Sequence, residues 1–157
     1  MKKKAKQKCF LIGEGTLLIQ CAEILLKRKY EILGVISSQS TILEWCNRKR
    51  IHCTIPTKNC LNFLSQQPFD YLFSIFNEFI LSKEILNLPR QGTINYHDAP
   101  LPKYAGINAT SWALINREKK HGVSWHLVNE VVDAGDILRQ TLVEIERNET
   151  AFTLNAK

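Results

Sequence analysis

The sequence predicts an α/β fold, an open and mostly parallel sheet with helices on both faces. Three observations predict it. Short apolar runs alternate with helix-period segments through the first half of the chain. Those runs are apolar at nearly every position, as strands buried on both faces require. A glycine turn, GEG at 13–15, joins the first run to the first helical segment and continues that alternation.

CFLIG (9–13) reads as the first buried strand. Residues 16–29 then follow helical periodicity, with Gln20, Glu23 and Lys27 on a polar stripe and Leu17, Leu18, Cys21, Ile24 and Leu25 facing inward. ILGVIS (32–37) is the second strand, followed by a helix over 41–49 and a short strand around 51–55. DYLFSIF (70–76) is another buried strand, a short helical segment carries Ile85 and Leu86, and GTINYH (92–97) is extended. The second half changes character: a helix over 108–117, an alternating strand VSWHLV (123–128), a strand-like run over 137–145 and a helix beginning in NETAFTLNAK.

At 157 residues and 45% hydrophobic, the chain suits one domain with a proper core. The formal net charge is +6, but Lys2, Lys3, Lys4, Lys6 and Lys8 supply five of those charges and leave about +1 for the rest. Residues 1–8 therefore read as a basic, disordered tail, and 9–157 as the domain. A basic stripe for nucleic acid is not evident in its body. The tail followed by CFLIGEGTLLIQCA imitates a secretion signal, yet Glu14 interrupts the apolar segment and Gln20 precedes Cys21 where a small residue is needed. No run approaches the roughly 18 apolar residues of a membrane span, so the expectation is a cytoplasmic protein with no membrane partner.

Cys9, Cys21, Cys46, Cys53 and Cys60 are odd in number and form no CxxC pair, so they signal neither a disulfide framework nor a zinc site. Cys46, Cys53 and Cys60 are evenly spaced, but Pro56 breaks any helix that would align them with His52 as metal ligands. The expectation is core thiols and no metal. The GEG turn lacks the third glycine of a dinucleotide loop, and the second strand ends in Ser37 and Ser38 with no acid to hold a ribose. It reads as a turn that packs a helix closely on its strand.

NYHDAPLPKYAG (95–106) carries the chemistry. Asn95 and His97 share strand parity and project to one face, at the carboxyl end of a strand where ligands of such sheets gather. Asn can donate an amide hydrogen bond to a developing oxyanion, and His moves protons near neutral pH. An Asn and a His that only tie down a proline turn remain an open alternative on these residues alone. VNEVVDAGD (128–136) adds Glu130, Asp133 and Asp136 around Gly135; a carboxylate there could orient the imidazole, though periodicity does not bring Asp133 to His97. His121 and His126 are weaker candidates, with structural or surface roles expected. No Ser, Cys or Lys stands in a nucleophile context.

Taken in order and spacing, Asn95-x-His97, LPKYAG, SWALINRE, HGVSWHLV and VVDAGDIL resemble the catalytic domain of the 10-formyltetrahydrofolate-dependent formyltransferases. The resemblance covers residues 9–157 and is strongest from Thr93 to Leu138. It implies that family's fold and formyl transfer from 10-formyltetrahydrofolate to a primary amine, with Asn95, His97 and Asp133 as the catalytic trio. In that reading Asn95 and His97 stabilise the oxyanion while Asp133 holds His97 and helps the amine lose its proton, with no metal. It also implies folate contacts at Asn77, Phe79, Ile80 and Leu81 and at Val131, Asp133, Gly135 and Asp136.

The implied partners are folate and an amine acceptor: an aminoacyl group on a carrier protein or tRNA, an amino sugar or a small amine. The glycine turn and the ending look most like formylation domains of nonribosomal peptide synthetases and methionyl-tRNA formyltransferase. The family's domain continues past residue 157, so the chain is expected to be truncated in its C-terminal helical part. Asn129 departs from the family pattern, where an acid commonly precedes Glu130. The alternatives are a formyltetrahydrofolate hydrolase and a non-catalytic module that binds folate or a partner.

Overall fold

The computed structural model describes residues 5–57 and 60–157. Of the expected disordered tail over 1–8, residues 1–4 lie outside the described residues, whereas Lys8 is corrected: it opens the first strand, its N–H donating to the Asp70 carboxylate. Among the described residues seven strands form a sheet in the order β3-β2-β1-β4-β5-β6-β7. In chain order the elements are β1 (Lys8–Gly13), α1 (Gly15–Lys27), β2 (Glu31–Ile36), α2 (Ser40–Lys49), β3 (Cys53–Thr54), α3 (Cys60–Leu64), β4 (Tyr71–Ile75), α4 (Lys83–Leu86), β5 (Gly92–His97), α5 (Ala109–Ile115), β6 (Lys120–Leu127), β7 (Ile137–Glu144) and α6 (Ala151–Asn155). β1 pairs in parallel with β2 and β4, β2 in parallel with β3, and β6 antiparallel with β7. The chain forms two compact units, 1–94 and 95–157.

In the first unit, apolar runs pack as predicted. Phe10, Ile12, Ile36, Leu64, Phe69 and Leu72 form a buried cluster. Phe10 meets Phe69 edge-to-face at 4.9 Å, the offset geometry that aromatic quadrupoles favour. The GEG turn serves the packing of β1 against β4. Gly13 has φ of +136°, and a Cβ placed there would lie 1.7 Å from the Ile75 carbonyl oxygen. Glycine alone permits that approach.

One inward assignment in α1 is corrected. Ile24 is 52% exposed, while Leu18 and Ala22 are the buried positions. At 100° per residue Ile24 lies about 120° around the helix from Leu18, off the stripe that Leu18 and Ala22 define. Glu23, assigned to the polar stripe, accepts a hydrogen bond from Trp45 Nε1 and pairs with Lys49 of α2.

In the second unit, β6 begins at Lys120, three residues before its predicted start, and so includes His121. Its alternation buries Gly122, Ser124 and His126, and His121 is buried as well, while β7 is exposed along nearly its whole length. α6 starts on a reciprocal pair of hydrogen bonds between Thr150 and Thr153, satisfying two end groups of the helix.

Candidate active site

β5 ends on His97, and strand alternation puts Asn95 and His97 on the same side, as their parity predicts. His97 is buried, and its Nε2 lies 2.8 Å from the backbone carbonyl of Tyr104. A carbonyl can only accept, so Nε2 carries a proton and donates it there. The segment between them is held firmly. Ser124 donates to the Ala99 carbonyl and accepts from Leu101 N–H, and Gln140 donates to the Leu101 carbonyl. Tyr104, at φ of 59°, is anchored by its hydroxyl, which donates to Glu118 and accepts from Asn116. The proline-rich stretch is thus a strap that returns a backbone acceptor to His97.

The loop after β6 delivers Asp133. Asn129 accepts from Val131 N–H through its side chain, opening a turn of the kind short amide side chains favour. The loop closes where Leu127 N–H donates to the Asp136 carbonyl. Gly135 is required there, because a Cβ would fall 1.7 Å from the Leu127 carbonyl oxygen. Asp133 adopts φ of 52°, a left-handed conformation that Asp tolerates better than most residues, and its side chain is only 10% exposed. Its Oδ2 accepts from Gly106 N–H at 2.8 Å and lies 3.6 Å from His97 Nδ1. Asp133 and His97, which the sequence could not connect, therefore meet.

Asn95 joins this cluster through a residue the sequence reading ranked low. Its Nδ2 lies 3.2 Å from His126 Nε2, and that nitrogen lies 3.5 Å from Asp133 Oδ1. His126 Nδ1 donates to the Leu127 carbonyl at 2.8 Å. Burial alone would raise the Asp133 carboxyl, but hydrogen bonds from His126 and Gly106 N–H outweigh it, and the carboxyl sits below its ordinary range. Burial alone would likewise lower His126; its contact with Asp133 and its bond to the Leu127 carbonyl override that and raise it. A signal for His126 was present in VSWHLV, where alternation buries every second residue. What it pairs with depends on a loop folding back from seven residues downstream. His121, the other weak candidate, is buried and bonds the Asp98 carbonyl at 2.7 Å, a role in holding the chain just past His97.

The remaining candidates are distributed as follows. Val131 and Val132 are 64% and 59% exposed beside Asp133, and Asp136 is exposed while its carbonyl closes the loop. In the first unit, Asn77 and Phe79 line a cleft of about 400 Å³ with Gly13, Glu14, Gly15, Ser38 and Gln39. Asn77 closes on itself, donating to the Phe79 carbonyl and accepting from Phe79 N–H. Ile80 is 85% exposed, whereas Leu81 packs against the core cluster. Donors at this glycine turn are already used: Gly15 N–H goes to Gln39, and the Glu14 carboxylate accepts from Ser37 and Ser38. A built-in carboxylate there opposes the phosphate that a dinucleotide would bring.

Of the cysteines, burial pushes the Cys9 and Cys46 thiols up to about 12, leaving no thiolate at neutral pH. Among the described residues no group of three His, Cys, Asp or Glu side chains is placed to hold a metal ion, and no helix is long and apolar enough to cross a membrane.

The family model described as formyl transferase matches residues 63–157, more than half of the chain, and that span holds Asn95, His97, His126 and Asp133. The chain is 30% identical over 166 residues to the methionyl-tRNA formyltransferase of Clostridioides difficile, covering 96% of this chain and 54% of that protein. It is 34% identical over 147 residues to the bifunctional polymyxin resistance protein ArnA of Wigglesworthia glossinidia brevipalpis, covering 85% of this chain and 22% of that one. A solved phosphoribosylglycinamide formyltransferase from Anaplasma phagocytophilum superposes with a TM-score of 0.87 at 23% identity, covering 97% of this chain and 79% of its own, a likeness of fold. The chain spans about half the length of the first curated relative and about a fifth of the second. By the family match, the chain belongs to the formyl transferase family.

Proposed function

We propose that this chain transfers a formyl group from 10-formyltetrahydrofolate to a primary amine. The observation that carries the reading is the approach of His97 and Asp133 to 3.6 Å, with Asn95 tied into the same cluster through His126. The residues fit a folate donor chemically. Exposed Val131 and Val132 offer apolar surface to a flat ring, next to loop backbone groups that can bond its polar edge. When bound, 10-formyltetrahydrofolate supplies an activated formyl carbon and departs as tetrahydrofolate.

The side chains then have separable tasks. The acceptor amine forms the new C–N bond at the formyl carbon, and the carbonyl oxygen gains negative charge. Asn95 has two amide hydrogens, one directed at His126, and the other supports that charge. His97 spends its Nε2–H on the Tyr104 carbonyl, so Nδ1 is the atom that can take a proton. Asp133, charged and beside it, accepts a hydrogen bond from Nδ1–H once that proton arrives. The proton lost by the amine passes through this pair to the nitrogen of the departing folate, which balances the reaction. His97 thus supports the oxyanion as a nearby positive charge in place of a direct donor.

The acceptor class proposed is an aminoacyl group on tRNA or a carrier protein, an amino sugar or a small amine. A similarity to methionyl-tRNA formyltransferase supports the first of these. The test is a donor labelled in its formyl carbon, offered with a panel of such amines. Label appearing in an N-formyl product supports the proposal, label released only as formate assigns a hydrolase, and no turnover with any acceptor sinks it.

A further inference from the structure

Nε2 of His126 has two neighbours that ask opposite things of it. Asn95 Nδ2, at 3.2 Å, can only donate a hydrogen bond. The Asp133 carboxylate, with Oδ1 at 3.5 Å, can only accept one. The other ring nitrogen is not in dispute, since Nδ1 keeps its proton for the Leu127 carbonyl in either state. The side chain is 2% exposed, so water cannot mediate freely between the two demands. One proton on Nε2 decides which neighbour is satisfied.

We infer that His126 is a proton-linked positioning residue for the transfer reaction proposed above. Neutral, its lone pair holds the Asn95 amide nitrogen and leaves the second amide hydrogen for the substrate oxygen. Protonated, Nε2–H turns to Asp133 and repels the Asn95 N–H group, so the amide must rotate. The same proton draws the Asp133 carboxylate away from His97. Both changes oppose catalysis, and one titration produces both.

Two titratable side chains are recorded beside His126. Asp133 comes from the loop after β6, and His97 comes from β5 with its ring centre 6.5 Å away. On β7, Ile137 pairs with His126, while the charged Arg139 pairs with Trp125. Asp133 is therefore the dominant influence and favours the protonated form, as the upward direction of His126 agrees. The amide-held state is therefore favoured as the pH rises.

The test follows the side-chain ¹⁵N signals of His126 and Asn95 in the full chain from pH 5 to pH 9. The expected result is a single midpoint shared by His126 Nε2 and the Asn95 amide, with His126 Nδ1 protonated throughout. An Asn95 signal that ignores His126, or a neutral His126 protonated on Nε2, overturns the inference. This readout does not require turnover, so failure of formyl transfer itself is seen separately.

Kinetics give a second arm. His126→Gln retains an acceptor for the Asn95 amide and cannot titrate; His126→Leu offers neither. H126Q is expected to keep a kcat about tenfold above that of H126L, with similar KM for the folate donor, and to lose the His126 component of the acidic limb. Equal kcat values for the two folded variants, checked by near-ultraviolet circular dichroism, contradict the assignment.

Discussion

Asp133 has two carboxylate oxygens and three partners: Oδ2 serves Gly106 N–H and faces His97, and Oδ1 faces His126. Asp133→Asn keeps the shape and removes the charge. We expect its kcat to fall by about 10²–10³, because the charge that favours the protonated histidine is lost. Its stability also changes with pH in a defined window. The lowered Asp133 carboxyl contributes stability above its unfolded pKa and loses it as pH falls through the folded value. The raised His126 contributes below its unfolded pKa and loses its share as pH rises through the folded value. The stability gap between wild type and Asp133→Asn should therefore be widest between the ordinary carboxylate and histidine ranges and narrow on both sides. Denaturant melts at a series of pH values measure this; a gap that stays flat with pH contradicts it. At this scale the sequence was informative about Asn95 and His97, whose shared parity is a local property. It was silent on what His126 pairs with, because the burial that alternation implies says nothing of a partner brought back by a left-handed residue seven positions on.

At the scale of the elements, close backbone approaches hold the strands of the first unit together. Gly13 lets β1 turn into α1 while Glu14 N–H reaches the Ile75 carbonyl of β4 at 3.0 Å. Gly13→Ala would force a Cβ into that carbonyl at a positive φ, and we expect a loss of about 1–3 kcal/mol. For a chain of this size each kcal/mol lowers Tm by about 2–4 °C, so calorimetry decides; an unchanged Tm contradicts the geometry. Strands and helices were legible here because apolar runs and a 3.6-residue period report burial directly. Edges were less so. β6 starts three residues early because its pairing with β7 extends to Lys120 opposite Glu144, and the local alternation does not reveal a partner's length. Ile24 was misplaced because neighbouring apolar residues broaden a helical stripe until its centre is ambiguous.

At the scale of the chain, a formyl transferase family match over 63–157 shows the family, and a TM-score of 0.87 to a solved formyltransferase shows the fold. The chain spans about half of the methionyl-tRNA formyltransferase it resembles, yet Asn95, His97, His126 and Asp133 all lie within it. The acceptor was not legible in the sequence for a physical reason. In the proposed reading the motifs serve a formyl group and a proton, which every amine acceptor shares. The most direct measurement is single-turnover transfer of labelled formyl by the 157-residue chain, wild type beside Asn95→Ala. The account predicts N-formyl amine from the wild type and a rate about 10²–10³ lower without the Asn95 amide, with donor affinity little changed. Equal rates in the two proteins would contradict it.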